Sequence, residues 1–507
     1  MPIRDVVKSG NPIREVGAAA EAVCAEYGLK EIPLLHLGNP GTDQETQVVE
    51  ATTASIKTRV AGYAPHPGET NDREELAKFF NDIDGVKGYF AGGDVAFSPG
   101  ATSITSILSA ALFGPDDAAL ISIPGYRTYY AQTEVFHGKP VGYKFDDEGL
   151  ISYEELKAKI DENSGKVKLI NINYPHNPTG KTLSKEEAKQ VAEVVNRINI
   201  EYPDIVFYND GVYNATVKPE IGYHSFFPHL SEAAKMQTVT GISGAKMTAQ
   251  GAERVGGFAC KNPELMKGFL NGLSHLVAGT NIHGERGFVN AIKDLMGTFA
   301  PQEHDPNNPR HKIAAFYGER RKIVADTFAE INEKLQEAGI KGTINAKDTG
   351  GSMYIWAKFG KLLQGKSVPK EVREEVGSDT FQSGEHLMKY MLALPKLGYA
   401  PVSTCHGEIF REEPQEMAMR ISCVSRDIWM IKEAMNSFRG ALQEVLGVNL
   451  GARKASSIGE LQEMMENDPD RLRAQFARRV GEIPIPTPKK ILGADGRPVR
   501  SDGVISF

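Results

Sequence analysis

Short aliphatic runs alternate with helical patterns through the middle of the chain. Residues 167–172 (VKLINI) are typical of a buried strand, and residues 205–208 (IVFY) of a second one. Between them, Ser184 and Glu187 have capping-box spacing, and apolar side chains recur at helical spacing over residues 188–198. This order predicts a βαβ unit with two parallel strands and a right-handed crossover.

Three more strands are predicted at residues 95–97, 119–123 and 238–242, each running into a turn or the start of a helix. In an open parallel sheet, the loops that follow the strands converge on one crevice, where ligands bind. The residues on these loops are therefore candidates for one shared site: Gly100, Ala101, Thr102, Tyr126, Asn177, Asp210, Tyr213, Ser243 and Lys246.

The pattern changes after about residue 330, where a strand at residues 352–356 lies between helical stretches. We therefore predict an α/β protein with two domains. A large domain, residues 46–330, would contain a mostly parallel sheet flanked by helices, and a smaller α+β domain would span residues 331–448. Residues 1–45 would pack on the small domain, and residues 449–507 would form a C-terminal extension in which Asp468-Pro469 starts a short helix.

Composition narrows the class of protein. The 507 residues include 58 Lys and Arg against 65 Asp and Glu, and this net charge of −7 argues against a nucleic-acid or anionic-membrane partner. No apolar run approaches the ~20 residues of a membrane span, and the N-terminus does not resemble a secretory signal. The four cysteines form no CxxC pair and the histidines no HExxH, so we expect a cytoplasmic protein without a metal site.

A lysine, an acid and an anion cradle on neighbouring strand ends favour a phosphorylated aldehyde as cofactor. Pyridoxal phosphate needs a lysine for a Schiff base, an acid at its pyridinium nitrogen, donors to its phenolic oxygen and an anion site. Lys246 and Asp210 supply the first two groups. Residues 100–102 at a helix N-terminus, with the guanidinium of Arg254, can bind the phosphate.

At these residues the chain resembles the class I/II aminotransferases, which are fold-type-I pyridoxal-phosphate enzymes. The resemblance runs in the family's order from about residue 34 to 445. It rests on residues 38–40 (GNP), Tyr63, residues 173–180 (NYPHNPTG), residues 209–213 (NDGVY), residues 243–246 (SGAK) with 254–258 (RVGGF), and residues 420–422 (RIS).

The resemblance implies a chemical role for each residue around the cofactor ring. Lys246 would form the Schiff base and carry the proton of the substrate Cα. Asp210 would keep the pyridine nitrogen protonated, which makes the ring an electron sink. Asn177 and Tyr213 would donate to the phenolic oxygen, and Tyr126 would stack on the ring.

The resemblance also implies the binding contacts. Arg420 would bind the substrate α-carboxylate, with Gly38 and Asn177 beside it, and Tyr63 would reach the phosphate of a neighbouring subunit's cofactor. A homodimer with shared active sites, acting on an amino acid and a 2-oxo acid, is therefore expected. The cofactor-binding residues would be Gly100, Ala101, Thr102, Tyr126, Asn177, Asp210, Tyr213, Ser243, Lys246, Arg254 and Tyr63.

Other interpretations remain open. The same cofactor can support elimination, decarboxylation or a synthase reaction, so a lyase or decarboxylase is the alternative. Ser243 and Lys246 also fit the S-x-x-K pattern of serine acyl-enzymes, but no K-T-G follows, and Ser243 is expected to end a strand rather than open a helix. A cofactor-binding regulator is disfavoured because no basic DNA-binding segment is present. The substrate side chain is unassigned, with four candidate contacts: His36, His66, Arg127 and His283.

Overall fold

The structure is a computed structural model that describes residues 10–58, 62–295, 299 and 301–467. The predicted helix start at Asp468-Pro469 and most of the predicted extension lie outside the described residues. The strands are β1 (Leu34–Leu35), β2 (Val95–Ser98), β3 (Ala118–Ile123), β4 (Lys139–Lys144), β5 (Val167–Asn173), β6 (Val206–Asp210), β7 (Thr238–Ser243), β8 (Gly256–Cys260), β9 (Asn345–Ala346), β10 (Tyr354–Lys358), β11 (Ser403–His406) and β12 (Ala418–Ser422).

Helices flank these strands and connect them. They are α1 (Pro12–Tyr27), α2 (Thr46–Lys57), α3 (Thr70–Ile83), α4 (Ala101–Leu112), α5 (Arg127–Val135), α6 (Tyr153–Glu162), α7 (Lys185–Glu201), α8 (Glu232–Met236), α9 (Gly244–Met247), α10 (Pro263–Val277), α11 (Ile282–Leu295), α12 (Pro309–Glu337), α13 (Gly360–Leu363), α14 (Arg373–Val376), α15 (Gly384–Ala393), α16 (Ile428–Leu446) and α17 (Ile458–Glu466). In the part of the chain that the structure describes, no helix is both long enough and apolar enough to cross a membrane.

The larger sheet has seven strands in the order β2-β8-β7-β6-β5-β3-β4. Strand β8 runs antiparallel to both of its neighbours, and the other pairs are parallel. The carboxyl ends of β2, β3, β5, β6 and β7 therefore lie along one edge of the sheet. Apolar clusters cover both faces of this sheet, as expected for a sheet flanked by helices.

The predicted βαβ unit is present as β5, α7 and β6. Helix α7 begins with the predicted capping box: the Ser184 hydroxyl accepts a hydrogen bond from the Glu187 N–H at 3.3 Å, and the Glu187 carboxylate accepts one from the Ser184 N–H at 2.7 Å. Its apolar stripe is buried against the sheet. The predicted α/β fold with a mostly parallel sheet is thus confirmed.

The smaller sheet has five strands in the order β1-β11-β12-β10-β9. Its first strand comes from the N-terminal segment, since Leu34 and Leu35 pair in parallel with Ser403 and Thr404 of β11. The core of this sheet also includes Val16 of α1 and side chains between residues 450 and 465. The division at residues 46–330 and 331–448 stays a prediction.

A small apolar cluster joins the residues after β6 of the larger sheet to β10 of the smaller sheet. Its buried members are Val212, Tyr213, Ile313, Tyr317, Met353, Tyr354 and Val424. All four cysteines are free thiols. The cytoplasmic location itself stays a prediction.

Candidate active site

A cavity of about 210 Å³ lies at the carboxyl edge of the larger sheet. Every residue predicted to bind the cofactor lines it, apart from Gly100 and Tyr63. The lining residues are Ala101, Thr102, Thr105, Tyr126, Tyr129, Asn173, Asn177, Asp210, Val212, Tyr213, Ser243, Ala245, Lys246 and Arg254. The loops after β2, β3, β5, β6 and β7 therefore meet at one site, as the parallel topology requires.

One end of the cavity is suited to an anion. Gly100 precedes α4 with a φ of 77°, and the first N–H groups of this helix lack partners within the helix. A Cβ atom on Gly100 would lie 2.6 Å from the Arg254 Nη2 atom, so glycine leaves room for the guanidinium. Arg254 donates to the carbonyls of Gly251 and Pro99, and among the described residues it pairs with no carboxylate. A helix N-terminus beside an unpaired guanidinium fits a phosphate group.

Lys246 lies on the short helix α9, directly after β7. Its amine donates a hydrogen bond to the Gly38 carbonyl. Burial lowers the pKa of Lys246 to about 8, and the positive charges of Arg420 and Arg254 act in the same direction. A much larger fraction of this amine is neutral near pH 7 than of an exposed lysine, which suits a nucleophile that attacks an aldehyde.

Asp210 ends β6 and faces the cavity. Burial raises its pKa to about 6, while hydrogen bonds from the Tyr129 hydroxyl and the Val212 N–H oppose the rise. Asn173 fixes the backbone here by donating to the Asp210 carbonyl at 2.8 Å. The carboxylate is therefore mostly ionised at neutral pH and can pair with a protonated ring nitrogen.

Arg420 lies on β12 and is 2% exposed. It does not line the cavity itself, but it contacts Asn177, which does. Its Nη1 donates to the Asn177 Oδ1 at 3.2 Å, and its Nη2 donates to the His36 carbonyl at 2.7 Å. Its Nε has no hydrogen-bond partner, and no carboxylate pairs with it in the described part of the chain. A buried guanidinium with an unused donor fits the α-carboxylate of a substrate.

Sequence reasoning missed several side chains that shape the site, among them Tyr129, Asn173 and Tyr354. Tyr129 lies three residues after Tyr126, at the spacing that brings both to one helix face, and that spacing could have identified it. Asn173 is the first residue of the NYPHNPTG motif, so its place in that motif could have identified it. No local pattern indicated Tyr354, whose hydroxyl lies 3.1 Å from that of Tyr213, 141 positions away.

Several predicted residues lie outside the cavity. Tyr63 is 95% exposed, and Gly38 contributes its carbonyl to Lys246 from beside the cavity. Of the candidates for the substrate side chain, His36 reaches the site only through its carbonyl to Arg420. The other three do not line the cavity: His66, Arg127 and His283.

One expectation about Ser243 was wrong. Ser243 ends β7 as predicted, but it also opens helix α9, because its hydroxyl accepts a hydrogen bond from the Ala245 N–H at 3.2 Å. The helix context therefore does not argue against an acyl-enzyme. The partners do: the Lys246 amine donates to the Gly38 carbonyl and the Ser243 hydroxyl accepts from the backbone, so the two do not form a nucleophile–base pair.

Comparison with known proteins identifies the family. The family model for class I and II aminotransferases matches residues 31–377. An aspartate aminotransferase from Pyrococcus horikoshii is 24% identical over 417 residues, which are 82% of this chain and 92% of the relative. A glutamate-pyruvate aminotransferase from Haemophilus influenzae is 24% identical over 285 residues, which are 55% of this chain and 67% of the relative.

The crystal structure of an aspartate aminotransferase from Rhizobium meliloti has the same fold. It superposes with a TM-score of 0.72 at 20% identity, covering 88% of this chain and all of that one (100%). This superposition confirms the predicted fold, and the match of the family model to more than half of the residues confirms the predicted family. The chain belongs to the class I and II aminotransferase family.

Proposed function

We propose that this aminotransferase binds pyridoxal 5′-phosphate in the cavity around Lys246 and moves an amino group between an L-amino acid and a 2-oxo acid. The observation that carries the proposal is the convergence of three groups on one cavity. They are the Lys246 amine with its lowered pKa, the buried carboxylate of Asp210, and the guanidinium of Arg254, which pairs with no carboxylate among the described residues. Each matches one chemical need of the cofactor.

The bound cofactor supplies an aldehyde carbon that accepts the amino group and a ring that withdraws electrons from the substrate Cα. The chain's residues make that chemistry selective. The Lys246 Nζ would take the proton from the substrate Cα and return it two bonds away, to the cofactor carbon on the other side of the amino nitrogen. Asp210 holds a proton on the ring nitrogen, because its buried carboxylate is best stabilised beside a cation.

The remaining residues bind and orient. Asn177 and Tyr213 donate to the phenolic oxygen, and Tyr126 covers one face of the ring. Arg420 binds the α-carboxylate and so fixes which Cα bond is perpendicular to the ring, with Gly38 and Asn177 beside it. The residues that would hold the phosphate are Gly100, which precedes α4, and four residues that line the cavity: Ala101, Thr102, Ser243 and Arg254.

The visible spectrum of the purified protein tests this function. With pyridoxal phosphate added, a band should appear, bleach with one amino acid and return with a 2-oxo acid. A panel of aspartate, glutamate, alanine and tyrosine is suitable, because relatives are named after these donors or their reactions. Lys246→Ala should lose the half-reaction, whereas Lys341→Ala, an exposed lysine, should keep it.

Two results would contradict the proposal. A band that persists while pyruvate or carbon dioxide accumulates would indicate a lyase or decarboxylase. A protein that gains no band after addition of pyridoxal phosphate would contradict the cofactor itself.

The pKa of Lys246 predicts how cofactor loading depends on pH. Only the neutral amine attacks the aldehyde, so the loading rate should rise with pH and level off above about pH 8. Arg420→Gln should raise the pH at which the loading rate is half of its maximum, because it removes a positive charge that favours the neutral amine. Stopped-flow measurement of the growing band gives the profile, and a rate that still climbs well above pH 8 would contradict the assignment.

We also propose that the enzyme is a homodimer in which Tyr63 contacts the cofactor phosphate of the partner subunit. The exposure of Tyr63 at 95% supports this, because a tyrosine serving its own site would lie against it. Val49 and Ile56, seven residues apart on one face of α2, are 47% and 56% exposed, which is typical of a helix that a partner covers.

Subunit mixing tests this arrangement. If Tyr63 acts across the interface, a hybrid of Lys246→Ala and Tyr63→Ala chains contains one site with both native residues. Mixed and reassociated protein should then show activity above the sum of the two parents. Activity equal to that sum in demonstrated hybrids would mean that Tyr63 acts within its own subunit or not at all.

A further inference from the structure

Tyr354 does not line the cavity, but its hydroxyl lies 3.1 Å from that of Tyr213, which does. It is the first residue of β10, is 3% exposed and belongs to the apolar cluster that joins the two sheets. A Cβ atom on Gly38 would overlap its hydroxyl, so the glycine leaves the space that this hydroxyl fills. Tyr354 therefore packs against the N-terminal segment at Gly38 and against the residues that follow β6.

Four side chains form a closed circuit of contacts around this point. The Arg420 Nη1 donates to the Asn177 Oδ1 at 3.2 Å, and the Asn177 Nδ2 donates to the Tyr213 hydroxyl at 3.3 Å. The hydroxyls of Tyr213 and Tyr354 lie 3.1 Å apart. The Arg420 Cζ then lies 4.3 Å from the centre of the Tyr354 ring, which closes the circuit.

Which of the two hydroxyls donates follows from the proposed role of Tyr213. If Tyr213 gives its one hydroxyl proton to the cofactor's phenolic oxygen, its own oxygen must accept from both Asn177 and Tyr354. Burial raises the pKa of Tyr354, and the neighbouring Arg420 charge opposes that rise. A donor chain of this kind strengthens each bond along it.

We propose that Tyr354 is a positioning residue: its hydroxyl donates to Tyr213 and orients that group toward the phenolic oxygen, while its ring supports Arg420 in the geometry that binds a carboxylate. This inference rests on the proposed function. It separates two parts of one side chain, since the hydroxyl acts on the cofactor and the ring acts on the substrate.

The spectrum of the holoenzyme tests the hydroxyl. In Tyr354→Phe, Tyr213 donates a weaker hydrogen bond to the phenolic oxygen, so the negative charge on that oxygen is less stabilised. The Lys246 nitrogen bonded to the cofactor then holds its proton more tightly. The pH midpoint of the visible band should therefore rise, by about 0.5 pH unit for one neutral hydrogen bond acting indirectly. The KM for the amino acid should change less than about twofold, because the ring over Arg420 remains.

Tyr390→Phe is the matched control. Tyr390 is also buried, at 1% exposure, and its hydroxyl donates to the Ala441 carbonyl at 3.0 Å within the core of the smaller sheet. Its removal should leave the midpoint unchanged. Tyr354→Leu, which removes the ring as well, should raise the KM by about tenfold, the size of a buried cation–π contact.

A second route covers the case in which Tyr354→Phe does not fold. Gly38→Ala should displace the same hydroxyl and raise the midpoint in the same direction. A wild-type midpoint in either folded variant, or an equal shift in Tyr390→Phe, would overturn the role of Tyr354. A wild-type protein that shows no band at all would instead overturn the proposed function, and this inference with it.

Discussion

The site depends on a buried guanidinium that the chain leaves without a carboxylate. Taking a positive charge out of water is costly unless an anion or several hydrogen bonds replace the water. Within the described residues, Arg420 has only neutral partners: the His36 carbonyl, the Asn177 amide oxygen, the Cys405 thiol and the rings of Tyr354 and Phe410. Its Nε remains unpaired. The fold therefore stabilises a position that a carboxylate completes.

The rest of the architecture follows from holding that position. Arg420 comes from the smaller sheet, whereas Lys246 and Asp210 come from the larger one, so the two sheets must be fixed against each other. The apolar cluster around Tyr213 and Tyr354 does this from one side. The N-terminal segment does it from the other, since His36 accepts from Arg420 and Gly38 accepts from Lys246 only two residues later. The same Arg420 charge helps to lower the pKa of Lys246, so the proposed carboxylate-binding residue also favours the neutral form of the proposed nucleophile.

Local patterns predicted most of the larger sheet because its signals lie within a few residues of each other. Helix α7 begins where the Ser184 and Glu187 box predicted, and the strands on either side end at Asn173 and Asp210. The strand predicted at residues 352–356 instead spans Tyr354–Lys358, because Ser352 has a φ of 66° and cannot belong to a strand. The antiparallel direction of β8 had no local signal.

The site residues differ in the same way: those within short motifs could be predicted, and those that act through distant contacts could not. Residues within motifs, such as Lys246 and Asp210, were predicted from their spacing and from the family resemblance. Tyr354 and His36 act through contacts with residues far away in sequence, as when the His36 carbonyl meets Arg420 384 positions later. Such contacts arise only when two sheets pack, so no window of neighbouring residues contains them.

The most direct test of the account is chemical trapping of the cofactor on its lysine. The protein is incubated with pyridoxal phosphate, reduced with sodium borohydride to fix the carbon–nitrogen bond, digested and mapped by mass spectrometry. We predict one stoichiometric adduct on Lys246 that is lost in Lys246→Ala. An adduct on another lysine, or labelling scattered over exposed lysines with Lys246 unmodified, would contradict the central claim.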